Sequence, residues 1–179
     1  MKLGELIKVV ASAFKVEEKT VKLYARTIRE AGLLTTGARG VNAPDMQPRD
    51  LARIAIAFLG ADGPSKAVEA VTQLGAVTVN KTMNTGTVPD FAESDLAESL
   101  EDTLAEFFCG RGSVVSMKQL EISRELKLAK MSFQAGEVCF DGTAEEVEAT
   151  ILGGVGMQTV GRINASALME ITVAYMKEV

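Results

Sequence analysis

The sequence predicts an α+β fold: a helical N-terminal part followed by a helical segment and a small antiparallel sheet. Three observations predict it. Apolar residues recur at spacings of three and four through the first 75 residues, as helices require. Beyond Gly110-Arg111-Gly112 the apolar period switches to two, the spacing of half-buried strands. A chain of 179 residues, 47% hydrophobic, also has enough apolar mass to bury a core without covalent staples.

Leu3, Leu6, Ile7, Val10 and Phe14 give a first helix over 3–14. Glu17 and Glu18 place acids where the macrodipole favours them and open a second helix over 17–31. Its apolar side is Val21, Tyr24 or Ala25, and Ile28, while Lys19, Lys22, Arg26 and Arg29 share another face. Gly32 stops it. Leu33-Leu34-Thr35-Thr36 is a β-prone run, Gly37-Ala38-Arg39-Gly40 a loop with one arginine at its tip, and Val41-Asn42-Ala43 a returning strand. Pro48 opens a third helix reaching Leu59, and Ala61-Asp62-Gly63-Pro64-Ser65 ends it. Ser65 to Gly75 is a fourth helix. Val77-Thr78-Val79 is too short to classify, and Asn80 to Pro89 reads as a polar linker.

The second half opens with a helix over Phe91–Cys109. Leu96, Leu100, Leu104 and Phe107 or Phe108 form its seam, and Glu93, Asp95, Glu98, Glu101, Asp102 and Glu106 a solvated acidic face. That seam packs either within the chain or against a second copy. Leu120, Ile122, Leu126 and Leu128 then alternate with polar residues, and Gln134-Ala135-Gly136-Glu137 joins two strands in a hairpin. Thr143-Ala144-Glu145-Glu146 has the form of a capping box. Gly153-Gly154-Val155-Gly156 lacks the lysine and hydroxyl of a phosphate loop and reads as a turn. Asn164 to Ala167 starts a last helix that buries Leu168, Ile171, Val173 or Ala174, and Tyr175.

Charge divides the chain. Residues 1–54 carry ten basic and six acidic side chains, a net of +4, and the remainder carries nine against eighteen, a net of −9. A basic head suits a polyanion and an acidic body is repelled by one. The absence of histidine removes the commonest general base and transition-metal ligand, so serine–histidine triads and zincin sites are excluded. Cys109 and Cys139 lack metal or redox spacing and read as free thiols in a reducing cytoplasm. The N-terminus does not read as a signal peptide, and no apolar run approaches the roughly 20 residues of a membrane span. No catalytic residues, metal or cofactor are expected.

Two helices joined by a tight turn, the second bearing a basic stripe, follow the helix-turn-helix plan for the major groove. The stretch from Thr20 to Leu34, with Arg29-Glu30-Ala31-Gly32-Leu33-Leu34 before a glycine–arginine loop, resembles winged helix-turn-helix DNA-binding domains. The helix after the loop is similar to the one packed behind the wing of mercury-resistance-type regulators. Their long dimerisation helix is absent, so their effector chemistry is not carried over. Gly37 to Gly40 with Met46-Gln47-Pro48-Arg49-Asp50 also resembles the head of phage and prophage proteins. The resemblance covers about a third of the chain.

It implies a non-enzymatic, oligomeric protein that binds double-stranded DNA in the cytoplasm of a bacterial or phage-infected cell. Residues 1–79 would be the winged helix-turn-helix domain with its packing helices, 80–90 a linker, and 91–179 an acidic α+β domain for oligomerisation or a partner protein. Lys19, Lys22, Arg49 and Arg53 are expected at phosphates, Arg26 and Arg29 at base edges, and Arg39 at the wing contact. The order of DNA-binding head, helical assembly region and β-containing tail resembles a phage small terminase, the packaging-recognition subunit. A winged-helix transcriptional regulator is the alternative, and an adaptor without DNA contact a third reading. The acidic body offers no metal cluster, aromatic cage or histidine switch for sensing, which favours packaging.

Overall fold

The computed structural model describes residues 1–37, 43–93, 98–111, 116–141 and 159–178. Among them are six α-helices: α1 (Leu3–Phe14), α2 (Glu18–Glu30), α3 (Pro48–Gly60), α4 (Ala67–Gly75), α5 (Leu100–Phe108) and α6 (Ala165–Glu178). Six strands accompany them: β1 (Thr78–Val79), β2 (Thr85–Gly86), β3 (Gln119–Ser123), β4 (Leu128–Ser132), β5 (Gly136–Asp141) and β6 (Val160–Asn164). The α+β class is as the sequence predicts.

Helix α3 is the hub. Leu51, Ala52, Ile54, Ala55, Ile56, Ala57 and Leu59 are all buried, so it is apolar almost all round. Such a helix must be surrounded. It packs against α2, α4, α5 and the strands β3 and β6. Its small alanines let neighbours approach closely, and β6 lies tight against its C-terminal turn. A Cβ on Gly161 would lie 2.2 Å from the Leu59 carbonyl oxygen, so only glycine fits there. Aromatic rings tie the first three helices together: Phe58 meets Phe14 edge-on at 5.5 Å and Tyr24 at 4.5 Å. Helix α1 lies between α2 and α6, where the Ser12 hydroxyl donates to Glu170 Oε1 at 3.0 Å.

The strands pair antiparallel in the order β1-β5-β4-β3-β6, with β2 also on β5. Register places Leu120 between Met131 and Ile163, Ile122 opposite Ala129, and Met131 opposite Val138, all buried on one face. The other face carries a charge ladder. Glu121 stands between Arg162 (2.6 Å) and Lys130 (3.7 Å), and Lys130 reaches Glu137 at 3.2 Å. Hydrogen bonding to Glu137 keeps the Lys130 ammonium above its ordinary pKa.

Several sequence expectations need correction. The helix expected over 91–109 begins at Leu100, where the Ser99 hydroxyl accepts the Asp102 N–H at 3.1 Å and caps it. Phe91 sits instead in a short 3₁₀ turn, Asp90–Ala92. Strand β6 has no apolar alternation to announce it, because only Ile163 of its five residues is buried. Segment 80–90, read as a linker, lies against the sheet. Asn80 N–H donates to the Cys139 carbonyl at 2.8 Å, the Asn84 side chain accepts the Cys139 N–H at 3.0 Å, and β2 pairs with Gly136 and Glu137. Its polar side chains serve backbone pairing, and one core cluster runs through both halves. Residues 33–37 form no strand. The wing tip and returning strand at 38–42, the capping box at 143–146 and the glycine run at 153–156 lie outside the described residues. No helix among the described residues is long and apolar enough to cross a membrane.

Candidate nucleic-acid interface

Helix α2 is sharply two-sided because its apolar residues fall at helical spacing. Val21, Tyr24, Ala25 and Ile28 are buried against the other helices, which forces the intervening residues outward. Lys19, Lys22, Leu23, Arg26, Arg29 and Glu30 are exposed. The helix ends in a Schellman turn. Gly32, at φ +76°, donates to the Arg29 carbonyl at 3.0 Å, and Leu33 donates to Ile28 at 2.9 Å. The α1–α2 turn is as tight, with Lys15 itself in left-handed geometry at φ +56°.

The exposed cations are not equivalent. Arg26 Nε lies 2.7 Å from Glu30 Oε1, one helical turn on, and that hydrogen bond raises the guanidinium pKa further. Lys19, Lys22 and Arg29 pair with no acid among the described residues. A helix face with three uncompensated cations and one compensated one is a positive surface open to solvent.

Arg49 and Arg53, expected at phosphates, are turned to another use. Arg53 is 23% exposed, and its Nε and Nη2 grip both oxygens of Glu101 at 3.0 and 2.9 Å. Its Nη1 donates to the Leu33 carbonyl at 2.8 Å, so all three nitrogens of the guanidinium are engaged within the chain. Arg49 hydrogen-bonds Asp102 through Nη2 and lies 3.3 Å from Glu101 through Nε. The cleft of about 450 Å³ beside them is lined by both arginines and both carboxylates, so their charges cancel. The acidic face of α5 is therefore the partner of α3. Beside it, burial, helped by Glu106 and Asp102, holds the Glu98 carboxyl above its ordinary pKa.

Asp50 explains why Leu33–Thr36 is not a strand. Its buried carboxylate accepts the Thr35 N–H at 2.8 Å and the Gln47 N–H at 2.6 Å. The chain leaving α2 is thereby pinned to the first turn of α3, and the β-prone side chains yield to a charge-assisted anchor. Arg39 lies outside the described residues.

The structure thus brings Lys19, Lys22, Arg26 and Arg29 onto one surface and removes Arg49 and Arg53 from it. It adds Leu23, which the charge pattern passed over. The signal was in the sequence: Leu23 falls off the Val21–Tyr24–Ile28 stripe and onto the basic face. Among the described residues no three carboxylate or thiol side chains gather as a metal ion would need. Comparisons with known protein families, with curated proteins and with solved structures give no match to this chain.

Proposed function

We propose that this chain is a non-enzymatic DNA-binding protein that meets duplex DNA with the exposed face of α2. One observation carries the reading: Lys19, Lys22 and Arg29 stand exposed on one helix face with no acidic partner among the described residues, while Arg49 and Arg53 are paired with Glu101 and Asp102. Cations kept free on a surface whose neighbours neutralise theirs are suited to a polyanion. In this reading α1 and α2 form the helix-turn-helix.

One small head buries too little surface for tight, specific binding, so several heads must act together. Val173 and Met176, three residues apart and exposed on α6, are apolar surface for that assembly or for a partner protein. Packaging recognition of the small-terminase kind is the role we infer, and transcriptional regulation is the competing one. Both are cytoplasmic roles.

Fluorescence anisotropy on labelled duplex DNA at increasing salt tests the DNA reading, with affinity expected to fall steeply as counterions are released. A chain that forms no salt-sensitive complex with duplex DNA is not a DNA-binding protein. Mass in solution separates the two roles: a ring of many copies supports packaging, and a dimer supports regulation.

A further inference from the structure

Five large apolar side chains are exposed among the described residues, and four of them lie beyond residue 80: Met83, Val160, Val173 and Met176. The fifth is Leu23, 54% exposed, near the outermost line of α2. It lies four residues after Lys19 and three before Arg26, so cations flank it along the helix. The core stripe of α2 is complete without it, and a leucine more than half exposed adds little to folding. Its surroundings define what would cover it. A second copy presenting the same face would set Lys19, Lys22, Arg26 and Arg29 against their equals. A lipid surface needs a broad apolar face, and here one leucine shares its face with the acid Glu30. The major groove of duplex DNA offers the matching pattern: phosphates along both rims and, on the floor, the C5-methyl group of thymine.

We propose that Leu23 reads a thymine methyl group in the major groove, flanked by phosphate contacts from Lys19 and Lys22. This rests on the reading of α2 as the DNA-facing helix and gives it a base preference. Leu23 sits in the first half of that helix, the part a recognition helix inserts most deeply. Arg26, tied to Glu30, is correspondingly less free to read guanine.

The test uses the full chain and its Leu23→Ala variant on a duplex selected from a randomised library by the wild-type protein. Thymines are replaced by uracil, which lacks only the methyl group, one position at a time. At one position uracil is expected to weaken wild-type binding about fourfold, the worth of burying one methyl group. Leu23→Ala is expected to bind the thymine and uracil duplexes equally, with an unchanged salt slope and thermal melt. The inference is overturned, with DNA binding still standing, if the wild type binds salt-sensitively yet is indifferent to uracil everywhere. It is overturned equally if Leu23→Ala loses as much as the wild type on the same replacement. Absence of any salt-sensitive complex overturns both readings, and Leu23-dependent capture by anionic vesicles in place of DNA would then assign the face to a membrane.

Discussion

Helices α2 and α3 each carry a pair of arginines one turn apart, Arg26 and Arg29 on one, Arg49 and Arg53 on the other. By residue type and spacing the two pairs look alike. What lies across from them differs. Helix α3 faces α5, whose Glu101 and Asp102 take both of its guanidinium groups. The basic face of α2 faces solvent, and the one acid paired with it among the described residues, Glu30, belongs to α2 itself. The role of a cation is thus decided by the element the fold sets opposite it, which its own helix does not encode.

That contrast breaks most visibly at Arg53. Arg53→Ala leaves Glu101, only 15% exposed, without its bidentate partner and frees the Leu33 carbonyl. Urea denaturation should show a loss of about 3 kcal/mol, while DNA affinity of the folded protein stays within about twofold of wild type. Lost DNA binding at unchanged stability would reverse the comparison. Asp50→Ala comes next, because two backbone N–H groups lose a buried acceptor. Its expected cost is about 2 kcal/mol by the same measurement.

On α2 the effects should move from stability to binding. Lys19→Ala with Lys22→Ala should leave the urea midpoint almost unchanged and reduce the salt slope of DNA binding by about two units. Arg49→Ala tests the intermediate case. Its pair with Asp102 is solvent-exposed on both sides, so the loss of stability should stay under about 1 kcal/mol. The smallest effect concerns the acid surplus of α5. Burial and the neighbouring acids raise the Glu98 pKa, so the folded chain holds that proton more tightly than the unfolded one. The ionised form is penalised on folding, and Glu98→Gln should raise the melting temperature at neutral pH by no more than about 2 °C. The gain should shrink as pH falls through the raised pKa and vanish below the unfolded carboxylate value of about 4.3.

Local features of the fold were legible where a single element's residues determine it. The apolar spacing from Leu3 through Leu6, Ile7 and Val10 to Phe14 delimits α1 at both ends, and the alternation through Met131 and Val138 locates the β4–β5 hairpin. Ser99 marked the true start of α5, but the longer apolar period beginning at Phe91 masked it. Two-residue strands such as β1 and β2 carry no period at all, and they exist because β5 offers a backbone edge. The same limit governs the candidate site. The exposed face of α2 follows from its own stripe, whereas the capture of Arg53 by Glu101 joins residues 48 positions apart. Leu23 is legible too, because it is offset from the buried stripe, but it is a single apolar residue among four cations on that face.

The packing of α1 between α2 and α6 has a consequence for the nascent chain. Ser12 and its partner Glu170 are 158 residues apart. At roughly 5–20 residues per second, α1 leaves the ribosome about 8–30 s before the helix that covers it. Through that interval the proposed DNA-facing helix is backed by a support whose far side is bare. Chaperones, or a neighbouring nascent chain on the same polysome, have their opportunity there, and the packing around α1 becomes complete only when α6 arrives.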